Sequence, residues 1–236
     1  MIECDLHIHS IRSTCGFHTL LEIVNIMREK GFKGFALTDH SPVHNTPHAH
    51  FSVMLRRMPG VINGLRVFKG IEATILNDEG DLDVPKFAGN PYEIILAALH
   101  ELPEYSTNAN KIKNTRAVIN VMKKNPSVNV ITHPYYKSFP VDLDAITDIA
   151  CETNTALEIN NSYILNRKAD LEALASMLEL AREKGTMLCV NSDGHLFHEM
   201  GSYNLALKFI ESYGVENLNI INRTLKSTCA FLGLEE

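Results

Sequence analysis

The chain has 236 residues, of which 45% are hydrophobic and 21% are charged, a composition that fits one α/β domain over residues 1–236, with two smaller domains as the alternative. Its net charge of −6 argues against a general nucleic-acid binder, because affinity for a phosphate backbone needs a basic surface. No apolar run approaches the roughly 20 residues that span a bilayer, and no signal-peptide pattern opens the chain. The five cysteines are odd in number and scattered, which favours reduced thiols in a cytoplasmic protein.

Apolar runs and helical periodicity alternate along the chain. Thr19 and Glu22 form a capping-box pattern, and Gly31 is a typical helix stop. The continuous apolar run over 92–99 is typical of a strand buried on both faces. In chain order the sequence predicts strand 3–6, helix 19–31, strand 34–37, a loop over 41–64 with a helix at 51–58, strand 65–71, a turn or hairpin at 77–83, strand 92–99, helix 111–124, strand 128–131, helix 142–150, strand 156–159, helix 168–184, strand 187–190 and helices 203–213 and 220–232.

This alternation of strands and helices predicts a parallel sheet. Seven strands fit an incomplete TIM-like barrel better than an open sheet. In such barrels the chemistry lies at the carboxyl ends of the strands.

Histidines and carboxylates concentrate at those predicted strand ends. In an extended strand, residues two apart point the same way, so His7 and His9 should project together, with Asp5 behind them to orient a ligand histidine. Independent loop residues have no reason to choose the end of nearly every strand, so the set as a whole predicts a bound metal cluster. The candidate ligands are His7, His9, His40, Glu72, His100, His133, Asp193 and His195.

The remaining polar candidates have more modest interpretations. Asp39 should support a ligand from behind, whereas Glu158 lies inside its strand, where a buried structural role and a functional role are equally open. Arg167 and Lys168 begin a predicted helix, where surface charge is the ordinary interpretation and a phosphate contact the alternative. The other loop histidines are interpreted as solvated or lid residues: His44, His48, His50 and His198.

Six short motifs together resemble the PHP (polymerase and histidinol phosphatase) family, in particular its YcdX-like branch of stand-alone phosphatases. The resemblance spans nearly the whole chain, with the motifs in order and at compatible spacings. The motifs are DLHIHS at 5–10, LTDH at 37–40, GIE at 70–72, LHE at 99–101, THP at 132–134 and NSDGH at 191–195.

The resemblance implies a distorted seven-stranded (β/α)7 barrel with a trinuclear metal site. It assigns His7, His9, Glu72 and Asp193 to one ion, a bridging Glu72 with His100 and His133 to a second, and His40 and His195 to a third. Members of this branch place a further histidine where this chain has Cys15. Three alternatives are therefore open for the missing ligand of the third site: the Cys15 thiolate, His18 three residues on, or no protein ligand at all.

A site with more imidazole than carboxylate suits borderline metals, with Zn²⁺ foremost and Mn²⁺ or Fe²⁺ as alternatives, at two to three ions per chain. Such a centre predicts a phosphatase that cleaves a small phosphorylated metabolite with a hydroxide held by the metals. Glu72, Asp193 and His195 are the candidate catalytic residues, and Arg12 and Arg167 are candidate phosphate contacts. No nucleic-acid or membrane partner is expected.

Two other functions stay open at this point. The same chemistry would serve an amidohydrolase-like reaction on a C–N or lactone bond. A non-catalytic PHP module that acts as a scaffold or polymerase partner should have lost ligands, which this chain has not.

Overall fold

The computed structural model describes residues 2–44, 51–85, 90–101, 110–214 and 217–236, with the backbone alone at 51 and 52. Within these ranges, eight strands form the sheet at the centre of the fold. The strands are β1 Cys4–Ile8, β2 Gly34–Leu37, β3 Val61–Ile62, β4 Leu65–Thr74, β5 Ile94–Ala98, β6 Val130–Ile131, β7 Ala156–Asn160 and β8 Leu188–Asn191.

Seven of these strands are parallel and run in the order β1-β2-β4-β5-β6-β7-β8. The last strand returns toward the first, because the backbone of Ile8 bridges to Gly194 and the Leu6 amide donates to Asn191 Oδ1 at 2.9 Å. The sheet therefore forms a nearly closed barrel, which confirms the predicted seven-stranded α/β barrel.

The eighth strand, β3, pairs antiparallel with the start of β4 and was not predicted. Asn63 and Gly64 join the two strands with positive φ angles of 51° and 79°. Two consecutive left-handed residues are the requirement of a type I′ hairpin turn, which Asn-Gly satisfies best. The signal was therefore present in the sequence.

Eight helices surround the sheet in the described part of the chain. They are α1 Leu20–Glu29, α2 Phe51–Arg57, α3 Lys111–Lys124, α4 Leu143–Thr153, α5 Asn161–Leu165, α6 Leu171–Lys184, α7 Asn204–Ser212 and α8 Leu225–Leu232. None of these helices is long and apolar enough to cross a membrane.

Capping explains most helix boundaries. The Thr19 amide donates to Glu22 Oε2 at 2.8 Å, which forms the predicted capping box of α1. Helix α6 begins later than expected because the Asp170 side chain caps it, accepting from the amides of Glu172 and Ala173. The residues directly before this cap, 166–169, form a loop that follows the short helix α5.

Helix α8 also begins later than predicted, at Leu225 rather than near residue 220. The segment before it is tied to the barrel: Ile220 bridges to Leu188, and Asn222 Nδ2 donates to the carbonyls of Cys4 at 2.8 Å and Val190 at 2.7 Å. These bonds between distant strands outweigh the helical periodicity of the segment.

Two strand details position the candidate site. Strand β1 has a bulge between Asp5 and Ile8, so one extra residue shifts its register against β2. Strand β4 continues past its predicted end, because Ile71 to Thr74 pair with β5. Glu72 therefore lies inside a strand rather than at its end.

The barrel interior below the site is apolar. Buried side chains from successive strands meet there, and helix α8 packs against the cluster through Cys229. All five cysteines are free thiols. The interpretation of the chain as one domain over 1–236 stays a prediction.

Candidate metal centre

Glu72 lies at the centre of the predicted ligands. Its Oε2 is 3.4 Å from His7 Nε2 and 3.6 Å from His9 Nε2. Its Oε1 is 3.4 Å from His100 Nε2 and 3.5 Å from His133 Nε2. Its Oε2 also lies 2.8 Å from His40 Nδ1, so one buried carboxylate faces three imidazoles with Oε2 and a different two with Oε1, which is the geometry of a bridging ligand.

Asp193 completes the first of these groups. Its Oδ1 is 3.2 Å from His9 Nε2 and 3.6 Å from His7 Nε2, while Asn160 Nδ2 donates to its Oδ2 at 3.2 Å. Asp193 and His133 both have positive φ angles, 54° and 33°. Such backbone conformations are costly for residues with side chains and are concentrated at functional sites.

A third group joins four side chains whose ligand-capable atoms all lie within 4.8 Å of one another: His9, Cys15, His40 and His195. The ring of His9 lies 4.4 Å from that of His40 and 4.3 Å from that of His195, centroid to centroid. His195 Nδ1 donates to the Asp193 carbonyl at 2.9 Å, which leaves its other nitrogen available.

Cys15 lies with this group and His18 does not. Burial raises the pKa of the Cys15 thiol, but hydrogen bonds to His195 and His40 outweigh burial and lower it to about 7. His18 Nε2 instead accepts a hydrogen bond from the Phe197 amide at 3.1 Å. Of the two side chains considered for the third site, the structure brings Cys15 to it.

The imidazoles present nitrogen lone pairs to the centre. His7 Nδ1 contacts Glu158, His9 Nδ1 contacts a serine hydroxyl, and His100 Nδ1 contacts a threonine hydroxyl. These outer contacts direct the Nε2 atom of each ring toward the centre. The Nε2 atoms of His7 and His9 are buried and make no hydrogen bond to any described residue. Buried polar atoms without such partners are the mark of a site built for another ligand.

The spacing of these donors also fits a metal. Ligand atoms about 2.1 Å from one tetrahedral ion stand about 3.4 Å from each other. The distances from His7 Nε2 and His9 Nε2 to their nearest carboxylate oxygens range from 3.2 to 3.6 Å. Imidazole, carboxylate and thiolate together match a borderline transition metal rather than Mg²⁺ or Ca²⁺.

Glu158 is the main support behind the ligands. His7 Nδ1 lies 2.7 Å from its Oε1, which also accepts from Asn191 Nδ2 at 2.9 Å. Its Oε2 accepts from the His133 amide and from Asn160 Nδ2, both at 3.0 Å. The sequence left Glu158 open between a structural and a functional role, and these contacts connect it directly to the centre.

Asp5 does not orient an imidazole, contrary to the prediction. It accepts from the backbone amides of Ser192 at 3.2 Å, Gly201 at 3.0 Å and His7 at 3.3 Å. The bulge in β1 reverses the alternation after Asp5, so its side chain and that of His7 leave opposite faces of the strand. Burial raises the pKa of the Asp5 carboxyl to about 6.

Asp39 lies behind His9, as expected, but acts through a serine. It accepts from the Ser10 amide at 2.7 Å and from Ser13 Oγ at 2.8 Å. Ser13 Oγ in turn lies 3.1 Å from His9 Nδ1 and accepts from the His40 amide at 2.9 Å. The first loop is thereby held against two of the candidate ligands.

Electrostatics within the cluster keep its carboxylates charged. Burial acts to raise the pKa of Glu72, but His7, His100 and His40 outweigh it and hold that pKa well below its usual range. Burial also acts to raise the pKa of Asp193, but the neighbouring His7 and His9 outweigh burial and lower that pKa. Ionised carboxylates are the form that binds cations.

His44 is not the solvated or lid residue that the sequence suggested. Its Nε2 lies 3.0 Å from Thr74 Oγ1 and 3.1 Å from His100 Nδ1, so it packs behind a candidate ligand. His198 is 60% exposed at its side chain, in line with a solvated residue. His48 and His50 lie outside the described residues.

A cavity of about 500 Å³ opens over the cluster. Neither Arg12 nor Arg167 lines it: Arg12 borders a separate apolar cavity that includes Met54, and Arg167 is exposed. Lys168 lines it instead. The non-ligand lining residues are Glu101, Tyr136, Ser162, Tyr163, Lys168 and His44.

Comparison with known proteins shows the family of the chain. The family model described as PHP domain matches residues 5–213. A protein named probable phosphatase from Shewanella halifaxensis is 35% identical over 230 residues, covering 97% of this chain and 91% of the relative. A probable phosphatase from Shewanella loihica is 33% identical over 230 residues, covering 97% and 92%.

Among solved structures, this chain is similar to histidinol phosphate phosphatase from Lactococcus lactis, determined in complex with zinc, L-histidinol and phosphate. The TM-score is 0.63 at 15% identity, covering 92% of this chain and 95% of that chain. A likeness at this identity shows a shared fold alone.

Proposed function

This chain belongs to the PHP domain family, and from that premise we propose that it is a metal-dependent phosphatase that hydrolyses small phosphate monoesters at a centre of two to three ions. The observation that carries the proposal is the position of Glu72, whose two oxygens face separate sets of imidazoles: three at Oε2, including His40, and two at Oε1. The relatives named probable phosphatase support the reaction class.

The proposed ligands form three overlapping groups around shared residues. A fourth close set joins His40, His44 and His100, but His44 Nε2 lies 3.1 Å from His100 Nδ1 and so packs behind that ligand. Cys15 favours zinc at the third site, since thiolate is a good ligand for zinc and a poor one for manganese; Mn²⁺ and Fe²⁺ are the alternatives. Ions bound at these groups would supply an activated water and neutralise the phosphoryl oxygens during in-line displacement. The proposed ligands are His7, His9, Glu72 and Asp193 for one ion, Glu72, His100 and His133 for the next, and Cys15, His40 and His195 with His9 for the third.

The chain's own side chains prepare the site. Glu158 fixes the tautomer of His7, and Ser13 and Thr74 contact the outer nitrogens of His9 and His100. Preorganised ligands hold their geometry without reorganising during the reaction, which is where most of the electrostatic advantage of such sites arises.

The two other candidate catalytic residues have different roles in this proposal. Asp193 stays ionised, because His7 and His9 lower its pKa, so it suits binding a cation rather than protonating a leaving group. His195 is held by its Nδ1 hydrogen bond to the Asp193 carbonyl and faces the cavity. Its proposed role is to complete the third group.

The test is a matched pair of esters on wild type and Glu72→Gln. p-Nitrophenyl phosphate and p-nitrophenyl acetate share a leaving group and differ at the electrophilic centre. Wild type should hydrolyse the phosphate ester with metal present, and Glu72→Gln should lose at least ~10²-fold in turnover, the scale of losing one key electrostatic stabiliser.

The control is Glu179→Gln, on the exposed side of α6, which should behave as wild type. Preferred cleavage of the acetate would favour the amidohydrolase-like alternative. Near-wild-type turnover by Glu72→Gln would show that the bridged pair is not responsible for hydrolysis.

The proposed substrate is a small phosphorylated metabolite, in keeping with the size of the cavity. The cytoplasmic location and the absence of nucleic-acid or membrane partners stay predictions from composition.

A further inference from the structure

Lys168 presents an ammonium group in the cavity without a charged partner. Its Nζ forms no hydrogen bond or ion pair within the described ranges and lies over the Tyr163 ring, 5.2 Å from the centroid. That ring is stacked on His133, with centroids 4.0 Å apart and planes 7° apart. The ammonium is thus separated from the ligand cluster by one aromatic side chain.

The loop that carries Lys168 is fixed by its backbone. The Lys168 amide donates to the Tyr163 carbonyl at 2.9 Å, and its carbonyl accepts from the Lys137 amide at 3.1 Å. Next to it, Ala169 bridges to Tyr136. Arg167 has a positive φ of 58°, which turns the chain so that the neighbouring lysine, and not the arginine, lines the cavity. The backbone position of Lys168 is therefore set before any ligand binds, and its exposed side chain lies over Tyr163.

The cavity wall away from the cluster combines aromatic and cationic surface. Tyr136 and Tyr163 meet edge to face at 5.0 Å, which offers apolar surface to a carbon skeleton. Apart from the cluster itself, Lys168 and Glu101 are the charged side chains among the described lining residues. An ammonium without a carboxylate partner favours an anion at that end.

We propose that Lys168 forms a leaving-group subsite, so that the preferred substrates are phosphate monoesters whose leaving group carries a second anionic group. This inference rests on the proposed phosphatase function. The transferred phosphate binds at the cluster, the carbon skeleton lies along Tyr163 and Tyr136, and the second anion contacts Lys168 Nζ. Lys168 is a specificity residue in this scheme and touches no reacting atom.

Two matched substrate pairs test it. Glycerol 3-phosphate against 3-phosphoglycerate, and glucose 6-phosphate against 6-phosphogluconate, each compare a neutral leaving group with a carboxylate. The measured quantity is the ratio of kcat/KM for the acidic member to that for the neutral member. Lys168→Met should lower this ratio by about 10-fold, the scale of one charge-assisted hydrogen bond, and Lys168→Arg should restore most of it.

The matched control is Arg167→Met, which removes the adjacent positive charge outside the cavity and should leave the ratio unchanged. A second readout is binding, measured by calorimetry with 3-phosphonopropionate and propylphosphonate on metal-loaded protein. Lys168→Met should weaken binding of the first and not the second.

An equal loss for acidic and neutral ligands would overturn the inference, because it would place Lys168 on the transferred phosphate. An unchanged ratio in Lys168→Met would overturn it as well. If wild type cleaves none of the esters, the proposed function fails, and the paired phosphonates still decide whether Lys168 selects a second anion.

Discussion

Replacing Glu158 by glutamine should weaken metal binding without touching any proposed ligand. Glu158 is fully buried and receives four hydrogen bonds, two on each oxygen, from His7, Asn191, Asn160 and the amide of His133. Glutamine keeps the shape of the side chain but has one acceptor oxygen instead of two and no charge. Two of the four donors therefore face an NH₂ group in the variant.

The magnitude follows from the role of His7. Its Nδ1 is 2.7 Å from Glu158, and this contact fixes the tautomer that presents Nε2 to the centre. Loss of such an outer partner costs about 10- to 100-fold in metal affinity or activity, or about 1.4–2.8 kcal/mol. We expect Glu158→Gln to lose affinity on this scale at the group that contains His7.

The assay is competitive zinc titration against a chromophoric chelator, on protein shown to be folded by circular dichroism. Glu179→Gln, exposed on α6, is the control for loss of one negative charge. Folded Glu158→Gln with wild-type zinc affinity would refute the reasoning, because it would show that the His7 ring is oriented without its carboxylate partner.

Two further predictions concern neighbouring residues. Cys15→Ser should lower bound zinc by close to one equivalent while His18→Ala retains it, as measured by elemental analysis; the reverse result would transfer the role to His18. Burial raises the pKa of Asp5 from 3.8 to about 6 in the native protein, so the native state binds more protons between these values. Stability should therefore fall by up to about 3 kcal/mol as the pH rises from about 4 to about 6. Urea unfolding of Asp5→Asn should lack this slope relative to wild type, and parallel pH profiles would contradict the assignment.

Much of this fold was predictable from local patterns. Alternating apolar runs and helices indicate a parallel barrel, and the strand-end histidines indicate where its chemistry lies. The structure places His7, His9, Glu72 and Asp193 together as the sequence suggested, although Glu72 lies inside β4 rather than at its end. Their assignment as ligands stays a prediction.

The contacts behind the candidate ligands were harder to predict from the sequence, because they join residues far apart in the chain. Glu158 and His7 are separated by 151 positions, and no local pattern connects them. Strict alternation along β1 predicts the wrong side for Asp5, because a single bulged residue reverses the alternation. Arg167 and Lys168 are adjacent and similar in charge, and only the backbone turn at Arg167 distinguishes which one reaches the cavity.

The most direct measurement follows turnover of p-nitrophenyl phosphate as zinc or manganese is added back to metal-free protein. Turnover should be absent at the start, rise with added metal and level off between two and three bound equivalents, with bound metal measured on the same samples. Full turnover by metal-free protein, or a fully loaded protein that does not cleave the ester, would contradict the proposed metal-dependent phosphatase.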